Sequence, residues 1–136
     1  MVQRSSMLVR EYTDADLTAL RAMHAAQGFG YPLPDLADPL FLVRTVVEED
    51  DHARLAIFLR LTAESYLLAD PADGTPRQRW QWLQAAHEAT RQAATEGGLA
   101  DVQAFLPPEV ARSFGRRLQS LGWRRDPWHC YTRRLP

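Results

Sequence analysis

Apolar and polar residues alternate along this chain in two periods, and each period reads as an element. Leu8-Val9-Arg10-Glu11-Tyr12 makes a short strand. Thr13-Asp14 then opens a helix, with Asp16 in the first turn, where a carboxylate suits the helix dipole. Leu17, Leu20, Met23 and His24 recur at helical spacing and carry that helix to Gln27. Gly28-Phe-Gly-Tyr-Pro-Leu-Pro-Asp35 stops it in a loop that holds Phe29 and Tyr31. A short helix or turn is expected near 37–40. The period then changes. Leu42–Val47 is a strand, Glu48-Glu-Asp-Asp-His52 an acidic hairpin turn, and Arg54–Leu61 a second strand. That second strand is apolar on both faces and is therefore expected at the centre of a sheet. Glu64–Ala69 makes a third, closed by Asp70-Pro71.

Helices dominate the second half. Thr75 at the N-cap, Pro76 at the first helical position and Gln78 at the third form a capping box. Alanines and Leu83 extend this helix to Glu96, where Gly97-Gly98 ends it. Asp101–Leu106 is a strand. Pro107-Pro108-Glu109 starts another helix with Val110, Phe114, Leu118 and Leu121 on its apolar face, and Gly122 ends that one. Trp123–Asp126 and Trp128–Leu135 are expected to close the sheet as a pair of strands. The order predicts an α/β fold, a mixed and mostly antiparallel sheet flanked by helices on both faces. With no internal repeat or low-complexity linker, residues 1–136 read as one domain, with 1–6 disordered.

Composition narrows the class. The chain has 136 residues, 46% apolar and 24% charged, with a net charge of −1, as in ordinary globular proteins. No apolar run reaches the roughly 20 residues of a membrane span, and no apolar signal core follows MVQRSSM, so a cytoplasmic protein is expected. One cysteine, Cys130, forms no internal disulfide and no cysteine cluster for a metal. All 16 cationic residues are arginine. Seven of them fall between Val110 and Pro136 against one acid, Asp126, which makes the C-terminal end locally basic.

The element order, Leu-Leu-Ala-Asp-Pro before the long helix and Ser-Leu-Gly-Trp123 after the shorter one together resemble the GNAT acetyltransferase family. The resemblance runs from Leu8 to Leu135. "VREYTDADLTALRAMH" looks like that family's first strand and helix, and "ARSFGRRLQSLGW" is similar to its penultimate helix. The resemblance implies a GNAT-like sheet and an acetyl-CoA cofactor, with no metal. A splayed strand, Leu67, Leu68 and Ala69 here, would offer backbone groups to the pantetheine arm. A Gly-rich loop of the form Arg/Gln-x-x-Gly-x-Gly/Ala would hold the pyrophosphate on backbone amides at a helix start, which falls on Thr75, Arg77, Gln78 and Arg79. Glu64 is the candidate general base. The amine acceptor, a small molecule or a peptide, would enter between the Phe29–Tyr31 loop and the sheet.

This sequence departs from the family pattern at two places. Gly74, Arg77, Gln78 or Arg79 can each stand at the Arg/Gln position, and no register puts glycine or alanine at either small position. Many family members carry a tyrosine, placed to protonate the leaving thiolate, four residues before the Gly of Leu-Gly-aromatic; here that residue is Leu118. The leading expectation is an acyl-CoA-dependent N-acyltransferase with a degenerate cofactor loop. The rival is a GNAT-fold binding module without catalysis. Trp80 and Trp82 read either as obstacles to a pyrophosphate or as anchors in a core or interface, and exposed tryptophans there would favour a homodimer.

The remaining constellations carry less chemistry. His129 and Cys130 are neighbours on an expected strand and point to opposite faces, so they do not pair as base and nucleophile. His87-Glu88 lacks a second metal ligand at helical spacing. Near-neutral charge and the lack of a recognisable motif argue against nucleic acid, despite Arg77, Arg79, Trp80 and Trp82.

Overall fold

The computed structural model describes residues 6–136. The disorder expected for residues 1–6 therefore lies outside the described residues, except at Ser6, whose carbonyl accepts a hydrogen bond from the Asp50 amide. The chain divides into two compact units, Met1–Ala63 with Leu99–Asp101, and Glu64–Gly98 with Val102–Pro136.

The first unit is built on an antiparallel sheet of β1 (Met7–Glu11), β2 (Phe41–Glu49) and β3 (His52–Arg60), in that order. Between β1 and β2 come a 3-10 turn (Asp14–Asp16) and α1 (Leu17–Gln27). The acidic hairpin forms as expected. Asp50 and Asp51 both adopt positive φ (53° and 63°), the two-residue geometry whose twist matches paired strands. The segment at 37–40 is a turn, closed by the Phe41 amide on the Asp38 carbonyl.

One prediction about this sheet is corrected. β3 is an edge strand and β2 is central, with β1 on its other side. Apolar alternation reports which faces of a strand avoid water; it does not report how many neighbours the strand has. The face of β3 toward α1 carries Ala56 and Phe58, while Leu55, Ile57 and Leu59 lie exposed on the other.

The core lies on the α1 side. Leu20, Leu36 and Phe41 are buried together, and Tyr12, Leu17, Met23, Leu33, Ala56 and Phe58 pack around them. Phe58 receives Tyr12 and Phe41 edge to face, at centroid distances of 5.7 and 5.9 Å. Val46 on β2 is fully buried. Asp16 is also buried and is held by Arg10 of β1, whose guanidinium donates to both carboxylate oxygens at 2.8 and 2.7 Å. Arg10 also reaches Glu48 of β2, and the Thr13 amide donates to Asp16, so one carboxylate ties the helix start to the sheet.

The second unit holds α2 (Pro76–Glu96), α3 (Pro108–Ser120) and a two-stranded parallel sheet of β4 (Ala63–Glu64) and β5 (Val102–Gln103), to which Ala63 comes from the end of the first unit. Both helices match their expected limits. The strands do not. The segments expected as strands over 64–69 and 101–106 shorten to two residues each, and 123–126 and 128–135 form no strand. α3 ends in a Schellman motif: Gly122 takes φ 95°, its amide bonds the Gln119 carbonyl, and the Trp123 amide bonds the Leu118 carbonyl. Leu-Gly-Trp is thus a helix stop in which glycine supplies the left-handed residue. The coarse α/β class holds, with two sheets where one mixed sheet was expected.

Candidate functional site

The residues singled out for cofactor and catalysis all lie in the second unit, and the start of α2 is the most fully determined part of them. Asp70 makes an Asx turn, its carboxylate accepting from the Ala72 amide. Gly74 follows with φ 71°, and Thr75 caps the helix. The Thr75 hydroxyl accepts from the Gln78 amide at 3.1 Å, while Gln78 Oε1 accepts from the Thr75 amide at 2.8 Å. This is the predicted capping box, complete in both directions.

The cap uses up the groups an anion would need. A helix start binds phosphate through its unpaired amides. Here Pro76 has none, the Gln78 amide is held by Thr75, and the Arg79 amide already bonds the Thr75 carbonyl. That leaves the Arg77 amide. Arg79 does not reach outward either, since its guanidinium donates to the carbonyls of Asp73 (3.1 Å) and Gly74 (2.7 Å). Trp82 covers the same turn. A Cβ placed on Gly74 would stand 2.7 Å from the Trp82 ring and 3.2 Å from Gln78 Oε1. The loop also carries two carboxylates, Asp70 and Asp73, which repel a pyrophosphate.

A substitution tests this packing. Gly74→Ala should destabilise the unit by about 1–2 kcal/mol, because alanine is strained at positive φ and must displace the indole. Thermal melting followed by helix circular dichroism reads the loss. Gly98→Ala, also at positive φ but with open space around its Cβ, isolates the steric share.

The two tryptophans have separate roles. Trp80 lies half-buried beneath the Arg117 guanidinium of α3, with the cation 5.9 Å from the ring centroid. Trp82 is exposed and packs over Gly74. Neither is a buried core anchor.

Glu64 ends β4 and is exposed. Its neighbour two residues on, Tyr66, has its phenol pKa raised, first by hydrogen bonding to the Glu64 carboxylate and then by that charge. Tyr66 went unnoticed in the sequence, although residues two apart on an extended segment share a side. β4 pairs with β5 only briefly. The Ser65 amide bonds the Gln103 carbonyl at 2.7 Å, and the chain then leaves the ladder. Leu67, Leu68 and Ala69 follow as exposed, irregular backbone instead of the expected strand. Glu64 is bonded to Tyr66, whereas Thr75 and Gln78 bond each other and Arg79 turns onto the Asp73 and Gly74 carbonyls.

His87 is the other residue whose partner the sequence concealed. Its Nε2 accepts from the Trp123 indole N–H at 2.8 Å, across 36 positions. Glu88 instead pairs with Arg91, at 2.6 Å, a spacing legible from the helix period. Leu118, at the family's tyrosine position, is half-buried on α3. Among the described residues, no cluster of three His, Cys, Asp or Glu is placed to hold a metal, and no helix is long and apolar enough to cross a membrane.

No family model, curated protein or solved structure matches this chain.

Proposed function

We propose that this chain is a GNAT-like α/β domain that works as a binding module and not as an acyl-CoA-dependent N-acyltransferase. The closed start of α2 carries the reading. A pyrophosphate cradle needs several free amides and room for close approach. At this helix start the capping box, Pro76, the inward-turned Arg79 and the Trp82 ring leave one amide and little space. The sheet of the first unit supports the same reading. Its face away from α1 presents Met7, Val9, Val43, Leu55, Ile57 and Leu59, all exposed, and contiguous apolar surface of this kind marks interaction sites.

One specific observation favours the enzyme reading. β4 and β5 are parallel and part after Ser65, as a splayed pair that serves a pantetheine arm must. In that reading acetyl-CoA lies along Leu67–Ala69 with its phosphates at Thr75–Arg79. Glu64 is the base toward an amine of a small molecule or peptide, and Tyr66 beside it donates to the leaving thiolate.

Thiol release separates the two. Protein incubated with acetyl-CoA and a panel of primary amines and N-terminal peptides should liberate free CoA no faster than buffer. Release that depends on the acceptor and disappears in Glu64→Gln would establish the transferase instead.

A further inference from the structure

The face of the first sheet turned away from α1 is one apolar surface by register. Val9, Val47 and Leu55 stand side by side across β1, β2 and β3, as do Glu11, Thr45 and Ile57. Val43 lies beside Leu59, and Met7 beside Glu49. Positions two apart on a strand share a face, so these rows stack into a single surface. Arg10, Val46 and Ala56, one position off in each strand, belong to the opposite, core side. Met7, Val9, Leu55, Ile57 and Leu59 are each more than half exposed, and Val43 is 42% exposed. Glu11 and Glu49 fall at strand ends, so the centre of the face, Val9, Thr45, Val47 and Ile57, holds no charge.

Size and composition identify the occupant. The six exposed side chains leave on the order of 600 Å² open on one copy, the upper end for the largest patch of a typical monomer. Doubled across a two-fold axis they bury about 1,200 Å², where specific interfaces begin. A foreign partner is gripped chiefly through tryptophan, tyrosine and arginine, and these rows contain none of the three. Valine, leucine and isoleucine are instead the residues of a core, and the interface of an obligate homodimer resembles a domain core cut in half. We infer that two copies of this chain dimerise face to face through these sheets. The sheets pack as an aligned sandwich about 10 Å apart, with strands crossing at about 30°. Glu11 and Glu49 stay at the wet rim, while Val9 and Ile57 meet the partner copy near the centre. The inference rests on the reading of this domain as a binding module and gives that module its partner.

Sedimentation equilibrium of the full chain from about 1 to about 200 μM tests it. The native protein should pass from one chain mass to two, with a Kd on the order of 10 μM, as suits the smallest specific interfaces. Val9→Glu and Ile57→Glu each put an unpaired carboxylate at the centre and should weaken association at least about a hundredfold. Both positions are exposed within one copy, so both variants should keep the native circular dichroism. Leu8→Lys places a charge on the opposite face of the same strand, beside Glu48, and should associate as the native chain does. Val9 lies on β1, across the sheet from the outer edge of β3, so a dimer joined edge to edge through β3 would survive Val9→Glu. A dimer that survives that change, or one lost equally in Leu8→Lys, overturns the inference. So does a native chain that keeps one mass over the whole range, which would leave the face to a different protein. That last result does not touch the binding-module reading, which falls only to acceptor-dependent release of CoA.

Discussion

Replacing Phe41 by alanine is expected to lower the unfolding free energy by about 3–4 kcal/mol, the largest single effect anticipated in this chain. Phe41 is buried at the start of β2, in one cluster with Leu20 of α1 and Leu36 of the preceding loop, and meets the Phe58 ring edge to face. Three segments distant in sequence close on that ring, so its removal leaves a cavity that no single segment can fill. Leu42, the next residue, is an instructive control. It sits at a register shift in the β2–β3 pairing and is exposed, so Leu42→Ala should stay within about 0.5 kcal/mol. Urea unfolding reads both, as a lowered midpoint at unchanged slope for the first and near-coincidence for the second. Equal losses at the two positions would mean that the core does not lie on the α1 side of the sheet.

Asp16→Ala should cost about 2–4 kcal/mol by a different route. Asp16 is 6% exposed, and its carboxylate receives two bonds from Arg10 and one from the Thr13 amide. Without it, Arg10 keeps Glu48 but loses its bidentate partner, and the 3-10 turn before α1 loses the carboxylate that accepts from the Thr13 amide. The same site sets an acid limb. The Arg10 hydrogen bonds hold the Asp16 pKa down at about 2, well below its ordinary value, against a smaller opposing effect of burial. A depressed folded-state pKa means the unfolded chain takes up the proton first. The stabilisation is therefore whole above about pH 4, and on the order of 2 kcal/mol of it is lost as the pH falls toward 2. Asp16→Asn should flatten that limb of the stability profile while leaving its shape above pH 5 unchanged. A variant with the native acid limb would show that the carboxylate is not ionised in the folded chain.

Local chemistry made much of the fold readable in advance. The capping box Thr75-Pro-Arg-Gln78, the Gly122 stop, the acidic hairpin and the spacing of Leu17, Leu20 and Met23 each depend on residues within one turn, and each forms as the sequence predicts. Sheet organisation was harder to read. β3 carries apolar residues on both sides, a pattern shared by a central strand and by an edge strand with one uncovered face. The segments 65–69 and 123–135 carry the aromatic and leucine side chains that suit a strand, but a strand exists only with a partner, and pairing is decided by residues far away in sequence.

The candidate site divides along the same line. Thr75 and Gln78 were correctly placed at a helix start, yet the inward turn of Arg79 onto Asp73 and Gly74 depends on a loop conformation that spacing does not encode. That turn changes the meaning of the arginines, from an anion-binding pair to one free side chain and one structural brace. The bond from Trp123 to His87 spans 36 positions and has no local signature.

Direct titration with acetyl-CoA tests the central claim, that the start of α2 is closed to a pyrophosphate. Calorimetry and thermal melting at about 1 mM ligand should give no binding heat and an unchanged Tm, and the same result with free CoA. A Kd below about 100 μM would at that concentration add about 1.4 kcal/mol of stability and a clear rise in Tm, and would contradict the account.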